Sequence, residues 1–177
     1  MAKKTDTSAT VAVLMGSDSD WPLLEETVKT LHGFGITADV RVMSAHRTPD
    51  QAAKFAKNAR KQGIRVIIAA AGSAAHLAGV VAAHTTVPVI GIPVKGGALD
   101  GLDALLSTLQ MPAGIPVATV ALGKSGAINA AILAAQILAV ADPAMQTRMD
   151  QHKKTLADKV KKGNARVAKL VAACNSC

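Results

Sequence analysis

The chain has 177 residues, half of them apolar, with one Trp, two Phe and no Tyr, and its formal charge is +8. This length suits one domain with a full core, and the scarcity of aromatic residues means that the core is aliphatic. The positive charge is not concentrated around base-stacking aromatic residues, as a nucleic-acid binder would require; much of it lies at Lys3, Lys4 and between Lys153 and Lys169. We interpret it as a solvated basic surface, and an anionic small substrate is also compatible with it.

We expect no targeting, membrane-spanning or redox-active segment in this sequence. Residues 1–10 lack the apolar core of a signal peptide, and the longest apolar stretch, residues 127–141, is shorter than the roughly 20 residues that span a bilayer. Cys174 and Cys177 have C-x-x-C spacing, but no helix or strand signal follows them and no second ligand pair exists, so we interpret them as part of a frayed tail. We therefore expect a cytoplasmic protein without membrane contact.

Apolar strand patterns alternate with helix patterns along the chain. Strands are predicted over residues 10–16, 36–43, 65–72, 87–94 and 115–122. Helices are predicted over residues 21–35, 48–63, 74–84, 102–109, 127–141 and 143–162. This alternation predicts a three-layer, doubly wound α/β fold with a parallel sheet of about five strands. We expect one domain over residues 1–177, with a core over about 10–163 and loose tails at 1–8 and 164–177.

The second and fourth predicted helices carry the clearest local signals. Thr48 is placed to cap the second helix, Pro49 suits its first position, and Gln51 has the spacing of a capping box. The apolar face of that helix consists of Ala52, Ala53, Phe55, Ala56 and Ala59. In the fourth helix the leucines recur at helical spacing, at Leu102, Leu105, Leu106 and Leu109.

The first strand ends in the polar sequence MGSDSDW, residues 15–21. Gly16 allows a tight turn, while the hydroxyls of Ser17 and Ser19 and the free N–H groups of the next helix suit a phosphate. A carboxylate of Asp18 or Asp20 could accept the two hydroxyls of a ribose. The alternative is that Ser19 or Asp20 is only a helix cap, and the sequence alone leaves both readings open.

The second strand ends in SAHRTP, residues 44–49. The guanidinium of Arg47 matches the geometry of a phosphate, and histidine is the side chain that exchanges protons near neutral pH. A lone histidine here would more simply be structural, but several polar groups converge at the same strand end. We therefore expect His46 to be an acid/base group.

The third and fourth strands end in small residues. The stretch AGSAAHLAG, residues 71–79, lets a flat ring lie against backbone, with Ser73 and the N–H groups near Ala74 able to read a base edge. His76 either joins this site or caps its helix. The Gly-rich residues 93–101 could cover a ligand, and no metal-ligand spacing is present. The residues thus predict a phosphorylated ribosyl ligand and one acid/base group, but no particular reaction.

Five motifs together resemble the class I, bacterial 5-(carboxyamino)imidazole ribonucleotide mutases of purine biosynthesis, from about Val11 to Leu138. They are GSDSDW, SAHRTP, AGSAAHLAG, LLSTLQMPAGIPVATVALG and GAINAAILAAQIL, in this order. The resemblance implies a flavodoxin-like fold and a metal-free, ATP-free reaction without cofactors. In that reaction a carboxylate moves from the exocyclic nitrogen of an imidazole ribonucleotide to ring carbon four.

The resemblance also assigns residues to roles. Ser17 and Arg47 correspond to phosphate ligands helped by Ser19 and Ser44, and Asp20 corresponds to the ribose ligand. His46 corresponds to the acid/base, which can give a proton to the leaving nitrogen and take one back from carbon four. Residues expected to contact the imidazole and its carboxylate are Ala45, Ser73, Ala74 and Leu77, and the predicted site also includes Gly16 and His76.

The family resemblance further implies an octamer with active sites between subunits and a terminal helix that reaches a neighbour. The Ala-rich helix over residues 127–141 is apolar nearly all round, which favours assembly, although an isolated core helix would look the same. Two other functions stay open at this stage. One is direct carboxylation of aminoimidazole ribonucleotide with CO2, and the other is a non-catalytic nucleotide-binding module on the same fold.

Overall fold

A five-stranded parallel sheet forms the centre of the computed structural model, which describes residues 9–175. The strands lie in the order β2-β1-β3-β4-β5. Their bounds are β1 (Val11–Met15), β2 (Ala38–Val42), β3 (Val66–Gly72), β4 (Val89–Val94) and β5 (Ala118–Thr119). The chain runs from β1 outward to β2 and then returns to β3 on the other side of β1, so the strand order reverses beside β1. This confirms the predicted doubly wound α/β fold.

Six helices accompany the strands in the described part of the chain. They are α1 (Trp21–Gly33), α2 (Pro49–Asn58), α3 (Leu77–Ala83), α4 (Leu102–Leu109), α5 (Gly123–Ala139) and α6 (Pro143–Cys174). The chain divides into two compact units between Ile137 and Leu138, and the first unit contains the whole sheet. The expectation of a single domain over residues 1–177 stays a prediction.

The middle of the sheet is buried because its strands are apolar on both faces. Residues 11–14 of β1 and 66–68 of β3 have no exposed surface, whereas the edge strand β2 is partly exposed. One face packs with α2 and α3 through a cluster that includes Leu14, Ile67, Phe55 and Val81. Complete burial of each such side chain contributes about 1.5–3 kcal/mol, so this aliphatic core holds the strand ends in fixed positions.

On α1, a buried hydroxyl links this helix to the start of α5. Thr27 has no exposed surface, and its Oγ1 donates to the carbonyl oxygen of Ala127 at 2.9 Å. Gly126 lies so close to the carbonyl oxygen of Ala121 that no Cβ could fit there. Small residues thus allow the first turns of α5 to pack closely, which a larger side chain at residue 126 would prevent.

The cap predicted for α2 does not form. Thr48 occupies the position before the helix, but its Oγ1 accepts from the backbone N–H of Ser44 and donates to the Ser44 carbonyl oxygen, both at 3.1 Å. The backbone N–H of Thr48 also donates to that carbonyl, so it is not available to Gln51 for a capping box. Both side-chain predictions were wrong because the turn that carries residues 44–47 uses the same groups.

Two other expectations differ from the structure, and one is confirmed. The helix predicted over residues 102–109 forms as α4, and its Leu102, Leu106 and Leu109 are each about half exposed. β5 has only two residues, far fewer than the predicted strand over 115–122. The predicted helix over 143–162 continues to Cys174, so residues 164–174 are helical and not a loose tail. Cys174 ends this helix as an exposed free thiol. Residues 1–8 and Cys177 lie outside the described residues.

Candidate active site

A cavity of about 430 Å³ lies at the carboxyl ends of β1, β2 and β3. These three strands flank the point where the strand order reverses, which is where doubly wound folds bind their ligands. The residues that line the cavity are Gly16, Ser17, Asp20, Ser44, Ala45, His46, Arg47, Ala71, Gly72, Ser73, Ala74, His76 and Leu77. Its volume lies in the range of roughly 300–1,000 Å³ that is usual for small-molecule sites.

The turn after β1 is held by Ser17. Its Oγ accepts from the backbone N–H of Ser19 at 3.3 Å and from the Ser19 hydroxyl at 2.9 Å. Ser17 therefore caps the short 3₁₀ turn over Asp18–Asp20, whereas Ser19 supports Ser17 and does not line the cavity. Asp20 stands before α1 without making a side-chain cap, so the structure does not support the reading of Asp20 as a simple helix cap.

The carboxyl group of Asp20 is partly removed from water. Burial raises the pKa of Asp20 above its ordinary value, a hydrogen bond with the backbone of Ser17 opposes this, and the charge of Asp18 raises the pKa further. A partly desolvated carboxylate without a cap bond is a strong acceptor for ligand hydroxyls.

Arg47 connects the turn after β2 to the end of β1. Its Nη2 donates to the carbonyl oxygen of Gly16 at 2.8 Å, and its Nε donates to the Ser44 hydroxyl at 3.4 Å. The backbone N–H of Arg47 donates to the same hydroxyl at 3.1 Å. These bonds use two of the five N–H donors of the guanidinium, so the group is fixed in place and can still bind an oxyanion.

His46 and His76 come together from two different strand ends. His46 follows β2 and His76 directly precedes α3, yet His46 Nε2 and His76 Nδ1 lie 2.8 Å apart. His76 makes no side-chain cap on α3, and it lines the cavity. The cavity thus contains two imidazoles, a guanidinium and a carboxylate.

The wall at the end of β3 is made of small residues. Ser73 has a positive φ of 52°, which aims the chain from β3 toward α3. A Cβ on Gly97, which has a φ of +70°, would lie 2.9 Å from the Ser73 hydroxyl, so the Gly-rich loop after β4 passes beside this wall. On that loop Lys95 pairs with Asp100 at 3.1 Å, and its amine is therefore engaged with a carboxylate of the loop itself.

All the predicted site residues line the cavity except Ser19. Sequence reasoning missed Ala71 and Gly72, which also line it. The feature that could have indicated them is the run of small residues at the end of β3, because the last residues of a buried strand can form the wall of a ligand site. The role of each residue stays a prediction, since the structure gives positions and contacts.

The described residues contain neither a metal-binding cluster nor a membrane-spanning helix. Between residues 9 and 175 there is no group of three or more His, Cys, Asp and Glu residues placed to hold a metal ion. Within the same range no helix combines the length and the apolar character needed to cross a membrane.

Comparison with known proteins agrees with this geometry. The family described as AIR carboxylase matches residues 10–159. The N5-carboxyaminoimidazole ribonucleotide mutase of Brucella melitensis is 52% identical over 153 residues, covering 86% of this chain and 94% of the relative. The enzyme of the same name from Escherichia coli K12 is 50% identical over 152 residues, covering 86% of this chain and 90% of the relative.

A solved structure extends the agreement to the fold. The crystal structure of Treponema denticola PurE superposes with a TM-score of 0.80 at 29% sequence identity, covering 88% of this chain and 96% of that chain. The resemblance drawn from the five motifs is therefore confirmed. With its family match over most of the sequence and relatives at about half identity, this chain belongs to the AIR carboxylase family.

Proposed function

We propose that this chain interconverts 5-(carboxyamino)imidazole ribonucleotide and 4-carboxy-5-aminoimidazole ribonucleotide through a trapped CO2, with His46 as the acid/base. The observation that carries the proposal is one cavity lined by His46, Arg47 and Asp20, in a chain whose relatives are named as mutases. Substrate and product differ only in the position of one carboxylate, so the enzyme is an isomerase.

The phosphate of the nucleotide binds between Arg47 and Ser17. The guanidinium is already oriented by Gly16 and Ser44, which lowers the loss of side-chain entropy on binding. The Ser17 hydroxyl and the start of α1 add donors on the same side of the cavity. Ser44 and Ser19 act through Arg47 and Ser17, respectively.

The ribose binds at Asp20. Two neighbouring hydroxyls are donors, and a carboxylate offers two acceptor oxygens. The partial burial that raises the pKa of Asp20 also removes competing water from it. The imidazole then lies against the small wall of Ala45, Ser73 and Ala74, with Leu77 behind it.

One proton returns to His46 in each turnover. The N–C bond to the carboxylate breaks as CO2 forms, and the exocyclic nitrogen takes a proton from His46. Ring carbon four then attacks CO2, a C–C bond forms, and the proton on that carbon passes to His46. Small walls keep CO2 near the ring, so that no second encounter from solution is needed.

The assembly proposed for this chain is an octamer with α6 reaching a neighbouring subunit. Three observations support it. Leu99, Leu102, Leu106 and Leu109 form an exposed apolar stripe on and before α4, and α5 buries its small residues while its larger ones stay partly exposed. α6 also exposes apolar side chains, namely Leu156, Val160, Val167 and Leu170. Light scattering should give about eight times the chain mass of 18.0 kDa, and a monomer would contradict the proposal.

The decisive experiment uses two substrates in parallel. One reaction contains the N-carboxylated imidazole ribonucleotide without ATP or bicarbonate, and the other contains aminoimidazole ribonucleotide with excess bicarbonate. Carbon-carboxylated product in the first reaction only is the expected result. Product only in the second would make the chain a direct carboxylase, and nucleotide binding without any product would favour a binding module.

A further inference from the structure

The hydroxyl group of Ser17 is fully occupied by bonds within its own turn. A serine hydroxyl has one hydrogen to donate and two lone pairs with which it accepts. The Ser17 Oγ accepts from the backbone N–H of Ser19 at 3.3 Å and from the Ser19 hydroxyl at 2.9 Å. It donates its own hydrogen to Oδ1 of Asp18 at 3.2 Å. The Ser17 hydroxyl therefore has no hydrogen left for a ligand.

The chemistry of the partners fixes the direction of these bonds. An ionised carboxylate only accepts, and a backbone N–H only donates. The hydrogen of Ser17 therefore goes to Asp18, and the hydrogen of the Ser19 hydroxyl goes to the Ser17 oxygen. The oxygens of a phosphate dianion are acceptors as well. Ser17 can consequently bind such a phosphate only after its hydrogen has left the carboxylate of Asp18.

Asp18 is exposed and does not line the cavity, but its charge acts inside it. Asp20 does line the cavity, and the charge of Asp18 is one of the causes that raise the pKa of Asp20. Another negative group in the cavity, such as a phosphate, experiences repulsion of the same kind. Asp18 thus opposes phosphate binding in two ways, by holding the hydrogen of Ser17 and by its charge.

We propose that Asp18 is a positioning residue that holds the Ser17 hydroxyl away from the phosphate and lowers the affinity of the cavity for phosphorylated nucleotides. The proposal rests on the proposed function, in which the phosphate binds between Ser17 and Arg47. On binding, the hydrogen of Ser17 turns from Asp18 to a phosphate oxygen. The two bonds from Ser19 keep the Ser17 oxygen in place during this change.

Weaker phosphate binding suits an isomerase whose substrate and product share the same phosphate. In the proposed reaction the phosphate is remote from the carboxylate that moves, so it contributes equally to the binding of substrate, transition state and product. Strengthening such a contact lowers KM without raising kcat, and it also retains the product. Asp18 therefore limits how tightly Arg47 and Ser17 bind either nucleotide.

Two substitutions separate the charge of Asp18 from its hydrogen bond. Asp18→Asn removes the charge but keeps an oxygen that can accept from Ser17, whereas Asp18→Ala removes both. The dissociation constant of the carbon-carboxylated nucleotide, measured by calorimetry, should fall about threefold in Asp18→Asn and about tenfold in Asp18→Ala, because Ser17 then gives up a weaker bond or none. KM should fall by the same factors, and kcat should stay within about twofold of wild type.

The sign of the effect distinguishes this role from a structural one. Asp18 belongs to the 3₁₀ turn that Ser17 caps, so a variant that only loosened this turn would bind the nucleotide more weakly than wild type. Two further readouts depend on charge. The same nucleoside without its phosphate should bind wild type and both variants equally. The advantage of Asp18→Asn should also shrink at high ionic strength, because salt screens exposed charges.

Glu25→Gln is the matched control for a change in net charge. Glu25 lies on α1, pairs with Lys29 at 3.1 Å and does not line the cavity. Its substitution removes one negative charge, as Asp18→Asn does, and should leave the dissociation constant within about 1.5-fold of wild type, because salt screens exposed charges that are distant from the ligand. An equal gain in affinity in Glu25→Gln would mean that net charge and not Asp18 sets the affinity, and it would overturn the proposal.

This proposal and the proposed function can fail separately. If wild type shows no mutase turnover but both Asp18 variants bind the phosphorylated nucleotide more tightly, the proposed function fails and the role of Asp18 stands. If wild type turns over and the dissociation constants of the variants are unchanged or raised, the proposed function stands and the role of Asp18 is wrong. An equal gain for the nucleoside without phosphate would also show that Asp18 does not act on the phosphate. Absence of any binding of the phosphorylated nucleotide would overturn both.

Discussion

The two ends of the sheet have cavities of similar size but very different chemistry. The cavity at the carboxyl ends of β1–β3 measures about 430 Å³, and a second cavity of about 510 Å³ lies at the amino ends of β3 and β4. The polar side chains of the second cavity are those of Arg60 and Arg65, and Arg60 donates to the Thr86 hydroxyl at 3.2 Å. The first combines a carboxylate, a guanidinium and two imidazoles, held by bonds between separate strand ends.

The comparison shows that the volume of a cavity does not by itself identify a catalytic site. The basic residues at the amino end of the sheet lie near the carboxyl-terminal ends of α2 and α3. There a positive charge interacts favourably with the helix dipole and with water. At the carboxyl end, groups of different charge and proton affinity are brought together from distant parts of the sequence. Substitutions at the two ends should therefore have very different effects.

The largest effect is expected for His46→Asn. Turnover should fall by about a thousandfold or more, since the variant lacks the group that moves both protons. Nucleotide binding, measured by calorimetry with the carbon-carboxylated product, should stay within a few-fold of wild type. Activity near the wild-type level would remove His46 from the mechanism.

A smaller effect, mainly on KM, is expected for Arg47→Ala. A hydrogen bond between charged groups contributes about 1.5–3 kcal/mol, so KM should rise by roughly tenfold to a hundredfold. Arg47→Lys keeps the positive charge but cannot form two parallel hydrogen bonds to the phosphate. Its KM should therefore lie between those of wild type and Arg47→Ala. An unchanged KM in the Ala variant would contradict the phosphate role.

For Asp20→Asn we expect KM to rise by about twofold to tenfold, because an amide accepts a hydroxyl more weakly than a carboxylate does. Since burial raises the pKa of Asp20, the KM of wild type should begin to rise on acidification at a higher pH than an ordinary aspartate would give. The KM of the Asn variant should lack this step. A KM–pH profile with the same step in both proteins would exclude Asp20 as its source.

The same substitution has a predictable effect on stability. An acid whose pKa is raised by folding binds its proton more tightly in the folded state, so ionisation of Asp20 lowers stability as the pH rises through that range. At neutral pH the Asn variant should therefore have a slightly higher Tm than wild type. The difference should vanish at a pH below the titration of Asp20, where both side chains are neutral.

The buried strands of the sheet could be predicted from local sequence alone. Strands buried on both faces are continuous apolar runs, which is why β1, β3 and β4 lie inside the predicted ranges. β5 was predicted too long because Pro116 has no N–H for a ladder, and only Ala118–Thr119 pair with β4.

The end of α6 shows the reverse difficulty. Gly163 and Asn164 suggest a stop, and yet the helix continues to Cys174. A glycine inside a helix costs only about 1 kcal/mol relative to alanine, and good helix formers such as Lys, Ala and Leu surround it. The unfavourable helix propensity of one glycine was therefore outweighed by the summed helix propensity of its neighbours.

The site was predictable as a set of strand ends but not as a set of contacts. Polar groups after buried strands indicated Asp20, His46 and Arg47, because parallel strands end at one edge of the sheet. The bond from Arg47 to the Gly16 carbonyl and the pairing of His46 with His76 depend on the positions of whole loops. No periodicity in the sequence carries that information.

The smallest effect is expected at the amino end of the sheet, for the double variant Arg60→Ala and Arg65→Ala. Loss of the Arg60–Thr86 bond and of two exposed charges should change stability by about 0.5 kcal/mol or less at each position, with kcat and KM within about twofold of wild type. The variant is the matched control for Arg47→Ala, since both remove guanidinium groups beside a cavity. If KM rose tenfold here as well, general attraction of the anionic substrate by a basic protein would explain both results. If substitution of Arg47 raises KM and substitution of Arg60 and Arg65 does not, the phosphate binds at the carboxyl end of the sheet.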